Sequence, residues 1–505
     1  MHLALEHRIG RDALGPDPSL HAGTGPALPA PRRTPPLDPS FRPAVLANAL
    51  FRRRVEAGAS SAPVTISLEQ PDGSVFEFRT AVFADEERSS GANYAYCERL
   101  LKFLLWSRGG FRVHLVGPPR LCERLREHYA RDPTGTFDAA MMGQAIYGRS
   151  FELLVARPDE LPEPREAHRP LGRHLDGCRI GFDLGASDRK IAAVVDGEVV
   201  YSAEVEWNPA AQADPGWHFD QVMESLRAAA ARLPRVDAIG GSAAGVYVDN
   251  EVRVASLFRG VPRDLFETRI RRLFMDLQEA WGGIPFVVVN DGEVTALAGS
   301  MLLDTGNLLG IALGSSQAAG YVTADGSITS WLNELAFAPV DHAPNAPLDE
   351  WSGDRGCGVQ YFSQQGVARL LRAAGIEPDP TATLPQRLLL VQELMGLGDD
   401  RAERIYRTIG TYLGYSLAHY AEFYRIDHAL LLGRVMTGPG GDVILEEARA
   451  CLDREFPALS RTMSFYTPGE TEKRHGQAVA AASLPAIGSV RRRPAGPGST
   501  GPSGP

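Results

Sequence analysis

The chain has 505 residues and a formal net charge of −10, which is too long for one hydrophobic core and predicts two or three domains. Hydrophobic residues make up 44% and charged residues 23% of the sequence, as in an ordinary globular protein, and the acidic balance argues against a nucleic-acid surface covering the whole molecule. No apolar run is long enough to span a bilayer, and five scattered cysteines without a Cys-x-x-Cys pair favour reduced thiols in the cytoplasm.

Both ends of the chain are rich in proline and glycine. Residues 1–40 have little hydrophobic periodicity, and residues 486–505 repeat Gly, Pro and Ser, so both segments are predicted to be disordered. The first segment also lacks the apolar core of a secretory signal peptide. We interpret the three arginines at 491–493 as part of a solvated terminus.

Residues 41–168 are predicted to form an N-terminal α/β module. Two alternating apolar runs flank Pro71-Asp-Gly73, which is typical of a β-hairpin. The other elements predicted in the module are a basic helix at 41–57, helices at 92–107 and 120–130, and a strand at 111–116. The module shows no catalytic constellation and no helix-turn-helix pattern, so its role stays open.

From residue 178 onwards, strands and helices alternate. The pattern predicts two domains, 169–299 and 300–485, with a cleft between them. Strands are predicted at 179–184, 191–196, 198–206, 236–240, 286–289, 308–314, 318–323 and 428–432. Helices are predicted at 218–232, 263–280, 293–303, 359–374, 385–396, 400–424 and 441–454.

The first candidate site element is Asp183-Leu-Gly185 at the end of a buried strand, followed by Lys190 on the returning strand. Phosphate requires backbone amides and a cation, and a magnesium ion requires a carboxylate. Gly185 would let the backbone approach a ligand closely. The alternative interpretation is that Asp-Leu-Gly only forms a turn.

The second element is the apolar strand that ends in Asn290-Asp291 before a helix. Ligands of α/β sheets bind at the carboxyl ends of strands, and a carboxylate there can take the proton of a hydroxyl that attacks a phosphoryl group. The alternative is that one of these side chains only caps the helix.

Three further turns follow strands. They are Gly314-Ser315-Ser316, the Asn333-Glu334 loop, and the stretch from Gly433 to Gly438 that leads into a helix. Glycine-rich turns and helix starts can present backbone amides to phosphate. The alternative interpretation is that each of them is an ordinary connection between secondary-structure elements.

The order of these elements resembles the ROK family of sugar kinases and repressors. The Asp-Leu-Gly hairpin precedes the stretch from Gly240 to Asp249, which contains Gly245. Then come Asn-Asp, Gly-Ser-Ser, Asn-Glu, Arg355-Gly-Cys357 and Leu-Gly-Arg-Val, all within residues 178–460. The resemblance implies a two-domain fold of the actin/hexokinase (ribonuclease H-like) type with an interdomain cleft, and an additional N-terminal α/β module.

The resemblance also implies a role for each site residue. Asp291 corresponds to the catalytic base, while Asn290, Glu334 and the Gly245 loop contact the sugar. The phosphate and nucleotide positions are Asp183, Gly185, Lys190, Gly314, Ser315, Ser316, Gly433 and Gly438. ATP and Mg²⁺ are the implied cofactors.

The sequence departs from the family pattern in two places, the second phosphate loop and the positions that bind zinc and sugar. The second phosphate loop carries Ser-Ser-Gln-Ala-Ala where the family has several glycines, which restricts backbone that must approach phosphate. The family's zinc-binding His and two of its cysteines correspond here to Phe337, Glu350 and Ser352, and a sugar-binding acid corresponds to Val359. Cys357 alone does not make a tetrahedral site, so no structural zinc is expected.

Three hypotheses follow. The first is an ATP-dependent kinase for the hydroxyl of a sugar or sugar-like polyol, and the second is a non-catalytic sugar-sensing protein with a degenerate site. The third is another actin-fold activity, such as a phosphatase or an acetyl-group-dependent kinase of a different branch. The expected partners are a small sugar and ATP, with no membrane or nucleic acid, and the resemblance leaves room for a homodimer.

Overall fold

The computed structural model describes residues 28–166 and 170–487, with the side chains of 86–88 and 470–475 left out. The disorder predicted for residues 1–27 and 488–505, including the arginines at 491–493, lies outside the described residues.

The N-terminal unit, residues 41–166, contains a four-stranded sheet in the order β2-β1-β3-β4. Its elements are α1 (Ala44–Ala57), β1 (Ser61–Glu69), β2 (Val75–Phe83), α2 (Glu86–Arg108), β3 (Arg112–Val116), α3 (Pro119–Arg131), α4 (Pro133–Ala140), a π-helical segment (Met141–Tyr147) and β4 (Glu152–Val155). The predicted hairpin is confirmed, since β1 and β2 pair antiparallel along their whole length. Helix α1 begins three residues later than predicted because Pro43 is its N-cap and disfavours helical backbone at the residue before it.

The first domain is built on a five-stranded mixed sheet. Its elements are β5 (Cys178–Leu184), β6 (Asp188–Val195), β7 (Glu198–Glu206), α5 (Pro215–Ala230), β8 (Ala238–Ala243), β9 (Val246–Val248), β10 (Glu251–Val254), α6 (Arg263–Leu265), α7 (Leu273–Ala280) and β11 (Phe286–Asn290). The order is β11-β8-β5-β6-β7. Strands β11, β8 and β5 are parallel, and β6 and β7 return antiparallel, which is the ribonuclease H-like arrangement.

The second domain carries a four-stranded sheet in the order β13-β12-β14-β15. Its elements are α8 (Asp291–Leu303), β12 (Leu308–Leu313), β13 (Gln317–Val322), α9 (Gln364–Ala374), α10 (Leu384–Gly396), α11 (Asp400–Tyr420), β14 (His428–Leu432), α12 (Pro439–Glu455), α13 (Pro457–Ser460) and β15 (Ser464–Tyr466), and α14 (Glu470–Ala482) follows and returns to the first domain. Strand β12 again pairs antiparallel with its successor and parallel with β14. The repeat of this pattern in both sheets gives the two-domain actin/hexokinase-like fold that the resemblance implied.

Two predicted helices are interrupted. The helix predicted at 263–280 is broken between α6 and α7 by a π-helical turn at Phe266–Ile270, where the amide of Arg271 bonds to the carbonyl of Phe266. The helix predicted at 359–374 begins only at α9, because Ser363 is an extended N-cap whose hydroxyl accepts the amide of Gln365.

The sequence did not predict α14, which packs on the sheet of the first domain although its residues were assigned to 300–485. A side chain at Gly181 or Gly240 would overlap the backbone carbonyls of Ala478 and Ala481. Glycine in β5 and β8 therefore lets this alanine-rich helix lie directly on the sheet.

The N-terminal unit has its own sheet but shares its hydrophobic core with the second domain. Phe103 of α2 packs on Phe423 with ring centroids 4.2 Å apart, and Arg52 of α1 forms a buried ion pair with Glu422. The unit and the second domain therefore form one body of packed side chains.

Residues 28–40 also pack on this body, although their composition predicted disorder. Arg33 pairs with Glu447 of α12, and the hydroxyl of Tyr412 in α11 donates to Asp38 Oδ2 at 2.6 Å. Proline-rich sequence did not exclude order here because side chains of α11 and α12 bind the segment. Within the described ranges, no helix is long and apolar enough to cross a membrane.

Candidate active site

The candidate site begins at the edge where the parallel strands β5, β8 and β11 end. Ser242 of β8 donates a hydrogen bond to Asp183 Oδ1 of β5 at 2.6 Å. Lys190 on β6 places its Nζ 3.6 Å from Asp183 Oδ2 and 3.1 Å from Asp188 Oδ1. Asp183 is buried, and burial raises its pKa, against the hydrogen bond from Ser242 and the charge of Lys190.

The turn between β5 and β6 is tight. The amide of Gly185 donates to the carbonyl of Asp188 at 2.9 Å, and its own carbonyl accepts the indole N–H of Trp207 at 2.8 Å. The tip residues Ala186 and Ser187 are exposed. Asp183-Leu-Gly185 therefore forms a tight turn, and the binding of phosphate there stays a prediction.

Asn290 and Asp291 lie at the junction of β11 and α8. The side chain of Asn290 accepts the amide of Gly292 at 2.7 Å and donates to the carbonyl of Gly245 at 2.7 Å. Asn290 thus caps the helix and also links the strand end to the Gly245 loop, where φ is +132°. Burial, and then the charge of Asp183, raise the pKa of Asp291 to about 6.

Glu334 and Glu293 bring two further carboxyl groups to the site. Burial and the charge of Asp291 raise the pKa of Glu334 to about 7. Burial and the charge of Glu334 raise the pKa of Glu293 to about 8, against a hydrogen bond from Asn333. Sequence reasoning missed Glu293, although a carboxyl group two residues after Asp291 and before an apolar helical run was a visible signal.

The raised pKa of Glu293 predicts a pH-dependent stability. The folded chain binds this proton more tightly than the unfolded chain, so the contribution to stability is full below the ordinary pKa of 4.5 and is lost as the pH rises through about 8. Glu293→Gln should therefore melt several degrees above wild type at pH 8.5 and close to it at pH 5. Thermal melts across pH measure this, with the exposed Glu279→Gln as control; an equal shift at both pH values would contradict the prediction.

The second predicted loop joins β12 to β13. The amide of Gly314 donates to the carbonyl of Ser316 at 2.9 Å, and Ser315 and Ser316 form an exposed tip. Ala318 and Ala319, which replace the family's glycines, lie in β13 and have negative φ. Their side chains therefore cost no backbone strain.

Gly433 lies next to this loop and Gly438 starts α12. Gly433 has φ +101°, and a side chain there would lie 2.5 Å from the carbonyl oxygen of Leu313. Gly438 has φ +75° with open space beside it. The structure thus brings Gly433 to the Gly314 turn.

The region that corresponds to the family's zinc loop is held by aromatic and ionic contacts. Phe337 stacks on Trp106 of α2 with centroids 4.2 Å apart and on Trp351 with centroids 5.8 Å apart. The hydroxyl of Ser352 donates to Asp349 Oδ2 at 2.6 Å, and Glu350 is exposed. The described residues contain no group of three or more His, Cys, Asp or Glu side chains placed to hold a metal ion, and the absence of zinc stays a prediction.

A buried ion network ties the same loop to α2. Lys102 is fully buried, with Nζ 2.9 Å from both carboxylate oxygens of Asp138 and 3.0 Å from Asp354 Oδ2. Arg99 also pairs with Asp354, at 2.9 Å. Burial alone would raise the pKa of Asp354, but Arg99 and Lys102 outweigh it and lower the value to about 2. Sequence reasoning missed this network.

Comparison with known proteins finds no matching family model and no matching curated protein. Among solved structures, the chain is similar to a ROK hexokinase from Thermus thermophilus (20% identity, 60% of this chain and 97% of that chain, TM-score 0.46). It is also similar to a ROK glucokinase from Streptomyces griseus in complex with glucose and AMPPNP (19% identity, 61% and 98%, TM-score 0.46). A third is a ROK transcriptional regulator described as a homologue of E. coli MLC protein (18% identity, 61% and 79%, TM-score 0.49).

These structures belong to the family that the sequence resembles, and they include both kinases and a regulator. Because their identities are 20% or less and their TM-scores are below 0.5, the fold is assigned from the strand orders and connections described above.

Proposed function

We propose that this chain transfers the γ-phosphoryl group of ATP to a hydroxyl of a sugar or sugar-like polyol. The observation that carries the proposal is the placement of Asp291. It lies at the carboxyl edge of β11, next to the Asn290–Gly245 link, and within electrostatic reach of both Asp183 and Glu334. Phosphoryl transfer to an alcohol requires a carboxylate placed between the groups that bind phosphate and the groups that bind the acceptor hydroxyls. In this proposal the Gly185 turn binds the phosphate, and Asn290 and Glu334 bind the hydroxyls.

Asp291 is the group that takes the proton. With a pKa of about 6 it is mostly ionised at neutral pH and is still basic enough to accept the proton of the attacking hydroxyl. Asn290 and Glu334 would orient the other hydroxyls of the acceptor, and burial strengthens each of these hydrogen bonds.

The phosphate end of the site would be formed by Lys190 and the Gly185 turn. Burial would lower the pKa of Lys190, but Asp183 and Asp188 outweigh it and raise the value, so the ammonium stays charged and available to a phosphate oxygen. A magnesium ion keeps several waters and takes one or two carboxylates together with the substrate phosphates, which Asp183 fits. When bound, it would neutralise charge on the β- and γ-phosphates.

A second candidate function is sugar sensing without catalysis. Two departures from the family pattern favour it: the second phosphate loop carries Ser-Ser-Gln-Ala-Ala, and Phe337 stands in place of the zinc-binding histidine. The two functions differ in one measurable respect. A kinase releases ADP in proportion to an added acceptor, whereas a sensor is stabilised by sugar with no turnover, so ADP release across a panel of sugars and polyols separates them.

Nucleotide binding is expected to depend on Lys190. Mg²⁺-ATP at millimolar concentration should raise the melting temperature by mass action, and Lys190→Ala should remove most of that shift. The measurement is a thermal melt as a function of ATP concentration, with Arg126→Ala on the exposed face of α3 as a matched loss of one positive charge. An undiminished ATP shift in Lys190→Ala would exclude Lys190 as a phosphate ligand.

A further inference from the structure

The N-terminal unit contacts the second-domain side of the candidate site through the end of α2. The last carbonyls of a helix have no partner within the helix. Here the carbonyl of Trp106 accepts the amide of Glu334 at 2.9 Å, and the carbonyl of Ser107 accepts the amide of Asn333 at 3.1 Å. The carbonyl of Arg108 accepts the amide of Leu332 at 3.3 Å. The segment that carries Glu334 is therefore bonded residue by residue to the N-terminal unit.

The same unit contacts the first-domain side through its π-helical segment. Met141–Tyr147 lies against strands β9 and β10, the hairpin that directly follows Gly245. Val246, Val248 and Val254 of that hairpin pack against the core shared by the N-terminal unit and the second domain. After the segment, Gly148 approaches the hairpin so closely that a side chain there would lie 2.9 Å from Arg253 Nη1.

The two contacts meet at Gly109, the residue that follows α2. Gly109 has φ +79°, and a methyl group at this position would overlap the hydroxyl of Tyr147 and lie 3.3 Å from Leu332 Cβ. Tyr147, at the end of the π-helical segment, is buried. Gly109 thus lies between the segment on the first-domain hairpin and the segment that carries Glu334.

We infer that residues 41–166 are a structural part of the substrate site, because they set the distance between its two walls, the Gly245 hairpin and the Asn333–Glu334 segment. In a two-domain fold these walls belong to bodies that move relative to one another. A unit that is hydrogen-bonded to one wall and packed against the other holds them in register before the acceptor arrives, which lowers the ordering cost of binding. The identity of the acceptor rests on the proposed function, while the bracing itself does not.

Gly109→Ala in the full chain tests the bracing, with Gly375→Ala as the matched control. Both glycines have left-handed backbone, at φ +79° and +73°, but a side chain at Gly375 meets nothing within 4 Å. By hydrogen exchange, Gly109→Ala should speed exchange about tenfold in both 246–254 and 332–337, as expected when local opening becomes easier, and Gly375→Ala should change neither. Unchanged exchange in either wall overturns the inference.

Two further variants keep this test valid if Gly109→Ala folds poorly. Tyr147→Ala removes the contact without adding backbone strain and should produce the same two-wall exchange. Tyr147→Phe added to Gly109→Ala removes the overlapping oxygen and should restore part of the protection. Failure of Tyr147→Ala to loosen both walls contradicts the inference irrespective of the other variant.

The Michaelis constants add a second measurement, because a general loss of folded protein lowers the amount of active enzyme but does not change KM. For an acceptor that the wild type phosphorylates, Gly109→Ala should raise the acceptor KM about tenfold and leave the KM for ATP unchanged. A fall in kcat alone, with the acceptor KM unchanged, would contradict the positioning role. If no acceptor is phosphorylated at all, the proposed function fails while the exchange result still decides the bracing.

Discussion

Replacing Asp291 with Asn should lower kcat by about 10²- to 10⁴-fold, the usual contribution of a general base, with little change in the melting temperature. Asparagine keeps the size of the side chain and an oxygen that can accept the amide of Gly292, which Asp291 Oδ1 accepts at 3.0 Å. What it loses is the ability to take a proton. Steady-state kinetics with the acceptor that supports the highest turnover measure the effect.

Asp304→Asn is the matched control for this substitution. Asp304 caps the other end of the same helix in left-handed backbone at φ +47°, which asparagine tolerates, and its side chain is exposed. In the wild type, kcat/KM should rise as the pH increases through about 6, the pKa of Asp291. This pH dependence should be absent in Asp291→Asn. A variant at position 291 with wild-type turnover would eliminate Asp291 as the base.

Replacing Lys102 with Met should reduce the free energy of unfolding by about 3–5 kcal/mol, the cost of removing one partner of a buried ion pair. The substitution leaves Asp138 and Asp354 buried with one cation fewer, and methionine fills much of the space of the lysine stem. Because the same residues hold α2 against the loop next to Phe337, the loss should appear as one cooperative change in chemical denaturation.

Arg126→Met is the control, since Arg126 forms an exposed pair with Glu123 and such pairs contribute about 1 kcal/mol or less. The buried network predicts a large difference between the two variants. If Lys102→Met unfolds at the same denaturant concentration as Arg126→Met, the network does not stabilise the loop.

The parts of the fold that follow local rules could be predicted from the sequence. The Asp196-Gly197 turn has positive φ at both residues, as the hairpin rule requires, and β14 matches the predicted strand residue for residue. Helix α14 was not predicted, because most of its apolar residues are alanines, whose small size matters only beside Gly181 and Gly240, which are distant in sequence.

For the candidate site, the sequence predicted which residues end strands but not what surrounds them. The link from Asn290 to Gly245 depends on the pairing of β11 with β8, which no local pattern shows, whereas Asp183 and Lys190 face each other on the consecutive strands β5 and β6. Lys102 stands in the apolar run Leu-Leu-Lys-Phe-Leu-Leu-Trp, a signal for a buried lysine, yet its partners are distant in sequence. The contact of α2 with the Asn333–Glu334 segment had no sequence signal, because backbone carbonyls make it.

Transfer of labelled phosphate from [γ-³²P]ATP to a sugar or polyol, with the product isolated and Asp291→Asn run in parallel, tests the proposed activity most directly. The proposal predicts a Mg²⁺-dependent labelled phosphate ester with at least one acceptor, formed by the wild type and Asp304→Asn and reduced about 10²-fold or more in Asp291→Asn. Stabilisation of the chain by a sugar, with no labelled product from any acceptor, would contradict it and leave sugar sensing as the function.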